Sequence, residues 1–147
     1  ILGADGSYYK NRPKSFDKLL SGGNVVIQDN VDIGALCTID KGVTASTTIG
    51  QGSKLDNQVQ VGHDTVIGEF NFISPQVAIS GNTKIGNGNL MGTNSATIPY
   101  VTIGDNNVIG AGTILFWNIT DNKKIKGTCI IGLSKGKLKK ESMLKLF

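Results

Sequence analysis

The stretch VGHDTVIGEFNFISPQVAISG, residues 61–81, decides the fold, because Val61, Ile67, Ile73 and Ile79 recur at intervals of six. Neither the 3.6-residue period of a helix nor the period of two of a long strand gives that spacing. Extended to both sides, the series reads Ile49, Leu55, Val61, Ile67, Ile73, Ile79, Ile85, Met91, Thr97, Ile103, Ile109 and Leu115, in which Thr97 alone is not aliphatic. The residue after each is usually small, as at Gly50, Gly62, Gly68, Ser74, Ser80 and Gly86. Four positions after each stands a small, β-branched or amide residue such as Val59, Thr65, Asn71 or Val77. Self-similarity of this kind marks a solenoid. Each hexad supplies one short flat strand and its corner, and three hexads close a triangular coil of eighteen residues. Stacked coils satisfy one another's backbone groups around one narrow aliphatic core.

The same template holds earlier in the chain, at Ile27, Ile33 and Ile39, with Val31 and Cys37 at the second inward site. Between Ile39 and Ile49 the step is ten, so four residues within KGVTASTT are expected to bulge outward while the coils continue on either side. From Ile27 to Leu115 the pattern predicts roughly five coils, about 24 Å of stack at the usual strand spacing.

Composition agrees with one thin-cored domain. The chain has 147 residues, 39% of them hydrophobic, with twenty dispersed glycines. No run of eighteen apolar residues suggests a membrane span, and the N-terminus lacks the basic and apolar segments of a secretory signal. Two cysteines are too few for a disulfide framework, which points to the reducing cytosol. Cys37, at an inward position, is read as packing; Cys129 has no reading. The opening Ile-Leu-Gly-Ala-Asp, without methionine, suggests that an N-terminal part is absent.

Three segments follow. Residues 1–24 lack the repeat apart from a strand at the start, and SYYKNRPKSFDKLLSGGN reads as an excursion that could shape a groove. Residues 25–119 are the prism, with Leu115, Phe116 and Trp117 expected to plug its end. Residues 120–147 form a basic tail, partly helical. Eight lysines against Asp121 and Glu141 give residues 121–147 a charge of +6, within a net charge of +4 for the whole chain. This tail is either a solvated helix over the last coil or a site for CoA phosphates or an acidic carrier protein.

The repeat resembles the left-handed parallel β-helix of the hexapeptide-repeat acyltransferases, over residues 25–119. Two branches are similar to different parts of the chain. GADG at residues 3–6 and VVIQDNVDIGALCTIDKG through KLDNQVQVGH resemble the UDP-3-O-acylglucosamine N-acyltransferases of lipid A synthesis, including the ten-residue step after Ile39. GHDTVIGEFNFISPQVAISGNTKIG and VTIGDNNVIGAGTI look more like the nucleotide-sugar N-acetyltransferases, in which an acidic residue follows the histidine as Asp64 does here.

Acyl transfer from a thioester to an amine requires proton removal, stabilisation of a tetrahedral oxyanion and alignment of both substrates. His63, the only histidine, carries the side chain that changes charge near neutral pH. Asp64 would orient its ring, provided that a turn in the backbone brings the two adjacent side chains together. Gly81 lies eighteen residues beyond His63, hence one coil above it. The resemblance implies that its backbone N–H serves as the oxyanion donor. It also implies that Thr93 and Ala111, a second pair eighteen apart, line the path of the CoA arm between subunits. Asn57 matches an asparagine of the lipid A branch and is a candidate substrate contact, or else a corner residue chosen for its backbone angles. Where many relatives carry a second histidine, nine residues past the base, this chain has Phe72.

The expectation is therefore an all-β homotrimer of left-handed parallel β-helices, each ending in a short C-terminal helix, without membrane insertion or nucleic-acid binding. Its activity would be acetyl transfer from acetyl-CoA to a nucleotide-linked amino sugar, without a metal. The alternatives are transfer from acyl carrier protein to a lipid A precursor, and a non-catalytic trimerising scaffold. A zinc site of the three-histidine kind is excluded by a single histidine.

Overall fold

The computed structural model describes residues 1–127. Among them the strands assemble into three parallel sheets, one for each side of a prism, and a separate hairpin. The first side stacks Leu2–Asp5, Thr38–Lys41, Gln60–Val61, Ala78–Ile79, Ala96–Thr97 and Ile114–Leu115. The second stacks Asn24–Ile27, Ser46–Ile49, Val66–Ile67, Lys84–Ile85 and Thr102–Ile103. The third stacks Asp32–Ile33, Lys54–Leu55, Phe72–Ile73, Leu90–Met91, Val108–Ile109 and Lys124–Ile125. Six strands on two sides make slightly more stack than the roughly five coils expected.

The register confirms the eighteen-residue coil. Val61 pairs with Ile79, Ile67 with Ile85 and Ile73 with Met91, all in parallel. One coil earlier the offset is twenty-two, since Ile27 pairs with Ile49, Ile33 with Leu55 and Ile39 with Val61. The four extra residues are 42–45, between Thr38–Lys41 and Ser46–Ile49. At the far end the coil shortens to sixteen, with Ile109 opposite Ile125 and Ile103 bridged to Ile119. The repeat thus runs past residue 119. Phe116 and Trp117 do not plug the core: they are 57% and 73% exposed, while Leu115 and Ile119 are buried. Losing two residues from that corner leaves the aromatics on its outer surface.

Every aliphatic of the six-residue series from Ile49 on is buried, and Val59, Val77 and Val101 join them from the second inward site. Each such side chain removed from water contributes about 1.5–3 kcal/mol. Asn71, Asn89 and Asn107 at the same second site are also buried, and each accepts the amide N–H of the next coil. The bonds are Asn89 N to Asn71 Oδ1, 2.8 Å, Asn107 N to Asn89 Oδ1, 2.8 Å, and Lys123 N to Asn107 Oδ1, 2.7 Å. This ladder satisfies backbone donors that would be costly to bury alone.

The corners differ in detail from the sequence expectation. The left-handed residue is the third after the inward aliphatic, as at Gln58 (φ 62°), Asp64 (56°), Phe70 (53°), Gln76 (61°) and Tyr100 (65°). The small residue that directly follows the aliphatic answers to stacking instead. A Cβ on Gly50, for example, would collide with the carbonyl of Gly68 one coil above.

Leu2–Asp5 forms the first rung, paired with Thr38–Lys41. The excursion then carries an antiparallel hairpin, Tyr9–Arg12 with Ser15–Lys18. The expected C-terminal helix and Cys129 lie outside the described residues. No helix among the described residues is long and apolar enough to cross a membrane.

Ile73, fully buried, gives a direct test of the core. Ile73→Ala is expected to lower unfolding free energy by about 2–5 kcal/mol, read as a lower urea midpoint by circular dichroism.

Candidate active site

His63 stands at the corner that follows Gln60–Val61 on the first side. The coil above places Gly81 against its ring: a Cβ on Gly81 would lie 2.8 Å from His63 Nε2. From the other face Gly6 closes in, since a Cβ there would sit 2.7 Å from His63 Cβ. The Tyr8 ring lies 5.6 Å from the imidazole, tilted by 59°. The excursion thus leaves the first coil and climbs over the histidine. Two glycines make room for the ring, and one rotamer is held between them.

The turn needed to bring Asp64 to His63 is supplied by the left-handed backbone of Asp64 itself. His63 Nδ1 and Asp64 Oδ2 are 2.8 Å apart. Three backbone donors from the four-residue insertion complete the carboxylate's shell: Val43 N to Oδ2 at 2.9 Å, Thr44 N to Oδ1 at 3.1 Å and Ala45 N to Oδ1 at 2.8 Å. The Asp64 side chain is only 7% exposed, that of His63 14%. Burial pushes the Asp64 pKa up, but the bond to His63 and the three N–H groups outweigh it and hold the carboxyl down at about 2. An ionised carboxylate only accepts hydrogen bonds, so His63 Nδ1 carries a proton, and in the neutral ring it is Nε2, on the Gly81 side, that holds the lone pair. The Gly81 N–H donates to no acceptor among the described residues, whereas its neighbour Asn82 N donates to His63 O at 2.8 Å.

His63 and Gly81 border a cleft of about 450 Å³, lined also by Ser7, Asp40, Gln60 and Pro99. Asp40 lines this cleft, although the hexad pattern passes over it. The signal was present, because the twenty-two-residue offset that pairs Thr38 with Gln60 and Ile39 with Val61 counts Asp40 to the edge of the His63 corner. Gln60 Nε2 approaches Asp40 Oδ2 at 3.4 Å, and Thr38 Oγ1 donates to Gln60 Oε1. Burial raises the Asp40 pKa, opposed by the nearby His63 and by the bond from Gln60.

The structure brings His63, Asp64 and Gly81 together and leaves Asn57, Thr93 and Ala111 elsewhere. Those three follow the inward aliphatics Leu55, Met91 and Ile109 of the third side, hence share the corner between the third and first sides. All are exposed. Asn57 uses its Oδ1 to accept the Ala35 N–H at 2.8 Å, a corner bond within the stack. Thr93 O accepts the N–H of Gly112, the residue after Ala111, at 2.9 Å, so the second column exists as such. Phe72 lies on the outer surface of the third side. Among the described residues no cluster of His, Cys, Asp and Glu could hold a metal ion.

The low pKa of Asp64 has a signed consequence for stability. A carboxyl depressed in the folded state stabilises above its unfolded pKa, about 3.9, and loses that contribution as pH falls through its folded value. The stability gap between the wild type and Asp64→Asn should therefore be full at neutral pH. It should narrow below about pH 4, measured by urea unfolding across the acid range. In the same wild-type protein, ¹⁵N spectra should show the Nδ1–H tautomer of His63, and Asp64→Asn should lose it.

No protein-family model matches the chain. It is 51% identical over 63 residues to UDP-3-O-acylglucosamine N-acyltransferases of Rhizobium rhizogenes and Rhizobium etli, a match covering 43% of the chain. The chain spans 18% of the length of these curated relatives. Among solved structures it is similar to perosamine N-acetyltransferase from Caulobacter crescentus with CoA and GDP-perosamine, at TM-score 0.57 and 23% identity over 74% of this chain and 53% of that one. The acetyltransferase domain of PglB from Neisseria gonorrhoeae, in complex with acetyl coenzyme A, gives TM-score 0.51 and 25% identity over 76% and 56%. UDP-N-acetylglucosamine O-acyltransferase from Moraxella catarrhalis gives 0.57 and 23% over 76% and 46%. With the three-sided coil described above, these likenesses make the chain a left-handed parallel β-helix of hexapeptide repeats, resembling the acyltransferases built on that repeat.

Proposed function

We propose that this chain is the catalytic part of an acyltransferase that moves an acetyl group from acetyl-CoA to the amine of a nucleotide-linked amino sugar. One observation carries the reading: an imidazole with Nδ1 fixed by an ionised carboxylate and Nε2 beside a glycine amide, inside a cleft. In this reaction the amine attacks the thioester carbon and passes a proton to His63 Nε2. The oxyanion takes the Gly81 N–H, and His63 returns the proton to the leaving thiolate. The PglB domain, similar in fold and crystallised with acetyl coenzyme A, supports that donor.

Thr93 and Ala111 have a place in this reading only if a second chain is present. In a homotrimer with sites at subunit boundaries, their exposed corner would face the His63 corner of a neighbour and line the path of the CoA arm. Asn57, on the same corner, would then meet the substrate from that side.

A second reading has its own support. Identity of 51% over 63 residues to UDP-3-O-acylglucosamine N-acyltransferases favours a longer acyl chain, delivered by acyl carrier protein to a glucosamine lipid precursor. Both readings share His63 as base and differ in the donor. A donor screen of acetyl-CoA against acyl carrier thioesters, with UDP- and GDP-linked amino sugars, separates them by the ratio of kcat/KM values.

His63→Ala is expected to lower kcat/KM about a hundred- to ten-thousandfold with the better donor, in a thiol-release assay at unchanged oligomeric state. Equal rates for both proteins would leave the non-catalytic scaffold.

A further inference from the structure

The cleft contains one carboxylate that the His63–Asp64 pair does not use. Asp40 follows Ile39 as Gly62 follows Val61, so it sits about one strand spacing, ~4.8 Å, from the coil that carries His63. It lines the same cleft as His63 and Gly81. Its setting is the opposite of Asp64's. Asp64 takes four donors, whereas Asp40 has one long bond of 3.4 Å from Gln60 Nε2. Thr38 fixes that amide by donating to Gln60 Oε1, which turns the Gln60 NH₂ toward Asp40. Asp40 Oδ1 takes no hydrogen bond from the described residues. Two carboxylates driven apart by their surroundings are a common basis for two different proton-transfer roles.

The chemistry has an unfilled role of this kind. An aliphatic amine with a pKa near that of an α-amino group, about 8, is mostly ammonium at neutral pH and has no lone pair to attack with. Between bound ammonium and amide product the nitrogen must lose two protons. His63 accepts one, since its other nitrogen is committed to Asp64. We propose that Asp40 is a second catalytic base, which binds the acceptor's ammonium group and takes its first proton, so that the site selects amines over hydroxyls. The proposal rests on the acyl-transfer reading above.

The steps balance. The ammonium gives a proton to the Asp40 carboxylate and becomes a free amine. Its lone pair forms the C–N bond to the thioester carbon while the carbonyl π pair moves to oxygen, held at Gly81. His63 Nε2 takes the second proton from nitrogen. The oxygen pair re-forms the carbonyl, the C–S bond breaks, and the thiolate takes that proton from His63. Asp40 then releases the first proton to water, and the net products are amide, thiol and one proton. Burial, which raises the Asp40 pKa, narrows the uphill step of the first transfer. The titratable groups around this part of the cleft are His63 on the coil above, Asp64 beyond it, Tyr8 over the ring, and Lys41 next in the chain. Lys41 is engaged by Asp5 at 2.9 Å, as is Lys18 at 3.2 Å.

The test compares wild type, Asp40→Asn, Asp40→Glu and His63→Ala in the full chain. Each is assayed from about pH 6 to 9.5 with an amino-sugar nucleotide and with its analogue bearing hydroxyl in place of the amine. With the amine, Asp40→Asn is expected to lose about a hundredfold or more in kcat/KM at neutral pH. That deficit should shrink as pH rises and the free amine forms unaided. Transfer to the hydroxyl analogue should be unchanged, and Asp40→Glu should recover part of the neutral rate. A deficit independent of pH, an equal deficit with both acceptors, or no deficit would overturn the role of Asp40 while leaving His63 in place. Undiminished rates in His63→Ala would instead remove the acyl-transfer reading on which this rests.

Discussion

Closure of the coil after eighteen residues, under parallel pairing, is the constraint on which everything else in this molecule depends. A parallel strand cannot receive its neighbour through a tight turn, so each coil travels round three sides before it meets itself again. Once it does, the register is fixed at every inward position, because a slip of one residue would turn the aliphatic column outward. The Ile and Val columns, the asparagine ladder and the pairing of His63 with Gly81 follow from that one offset. A loop-built site has to hold its groups by local contacts alone. Here the placement of imidazole against glycine follows from the spacing of two strands in a sheet.

Departures from eighteen occur only at corners, and the one after Lys41 supplies the contacts of Asp64. Residues 42–45 add four positions without shifting the phase of the core, since Ile39 still pairs with Val61. The surplus backbone keeps some bonds to the coil below, where Gly22 N and Gly23 N donate to the carbonyls of Val43 and Gly42. It folds over the next corner and gives three N–H groups to Asp64. The excursion after Leu2–Asp5 behaves alike, bringing Gly6 and Tyr8 onto the His63 ring.

How much of this was legible depends on whether the repeat or its exceptions carry the information. The hexad gave the fold, and arithmetic on it put Gly81 above His63. The ten-residue step after Ile39 was visible too, but its use was not: only with the offset of twenty-two does Asp40 fall beside the histidine. Corner conformation is not legible in the small residues that follow the aliphatics, because the left-handed position falls two places later. Phe70 and Tyr100 adopt positive φ that their side chains disfavour by about 1–2 kcal/mol, and the stack imposes it on them. The bulk of Phe116 and Trp117 suggests a plug, but the sixteen-residue coil, set by Ile119 and Ile125, puts them outside. Asn57 stands one hexad before His63, and Thr93 and Ala111 are not a whole number of coils beyond it, so the same count already puts all three on a different corner from the histidine.

The same insertion also explains why two aspartates beside one histidine need not behave alike. Asp40 and Lys41 end the strand that enters the insertion, and Asp64 lies under its far side, so a single short segment separates the two carboxylates. The N–H groups of Val43, Thr44 and Ala45 turn toward Asp64 and that of Gly42 toward Asn24 O, which leaves Asp40 with Gln60 alone. Ionisation is therefore stabilised on one side of the imidazole and penalised by burial on the other. Fixed amide dipoles achieve this without adding a charge to the cleft, and a lysine or arginine in their place would repel an incoming ammonium. Under the proposed chemistry, a positively charged acceptor would meet a site whose own cation nearest to Asp40 in the chain, Lys41, is already engaged by Asp5.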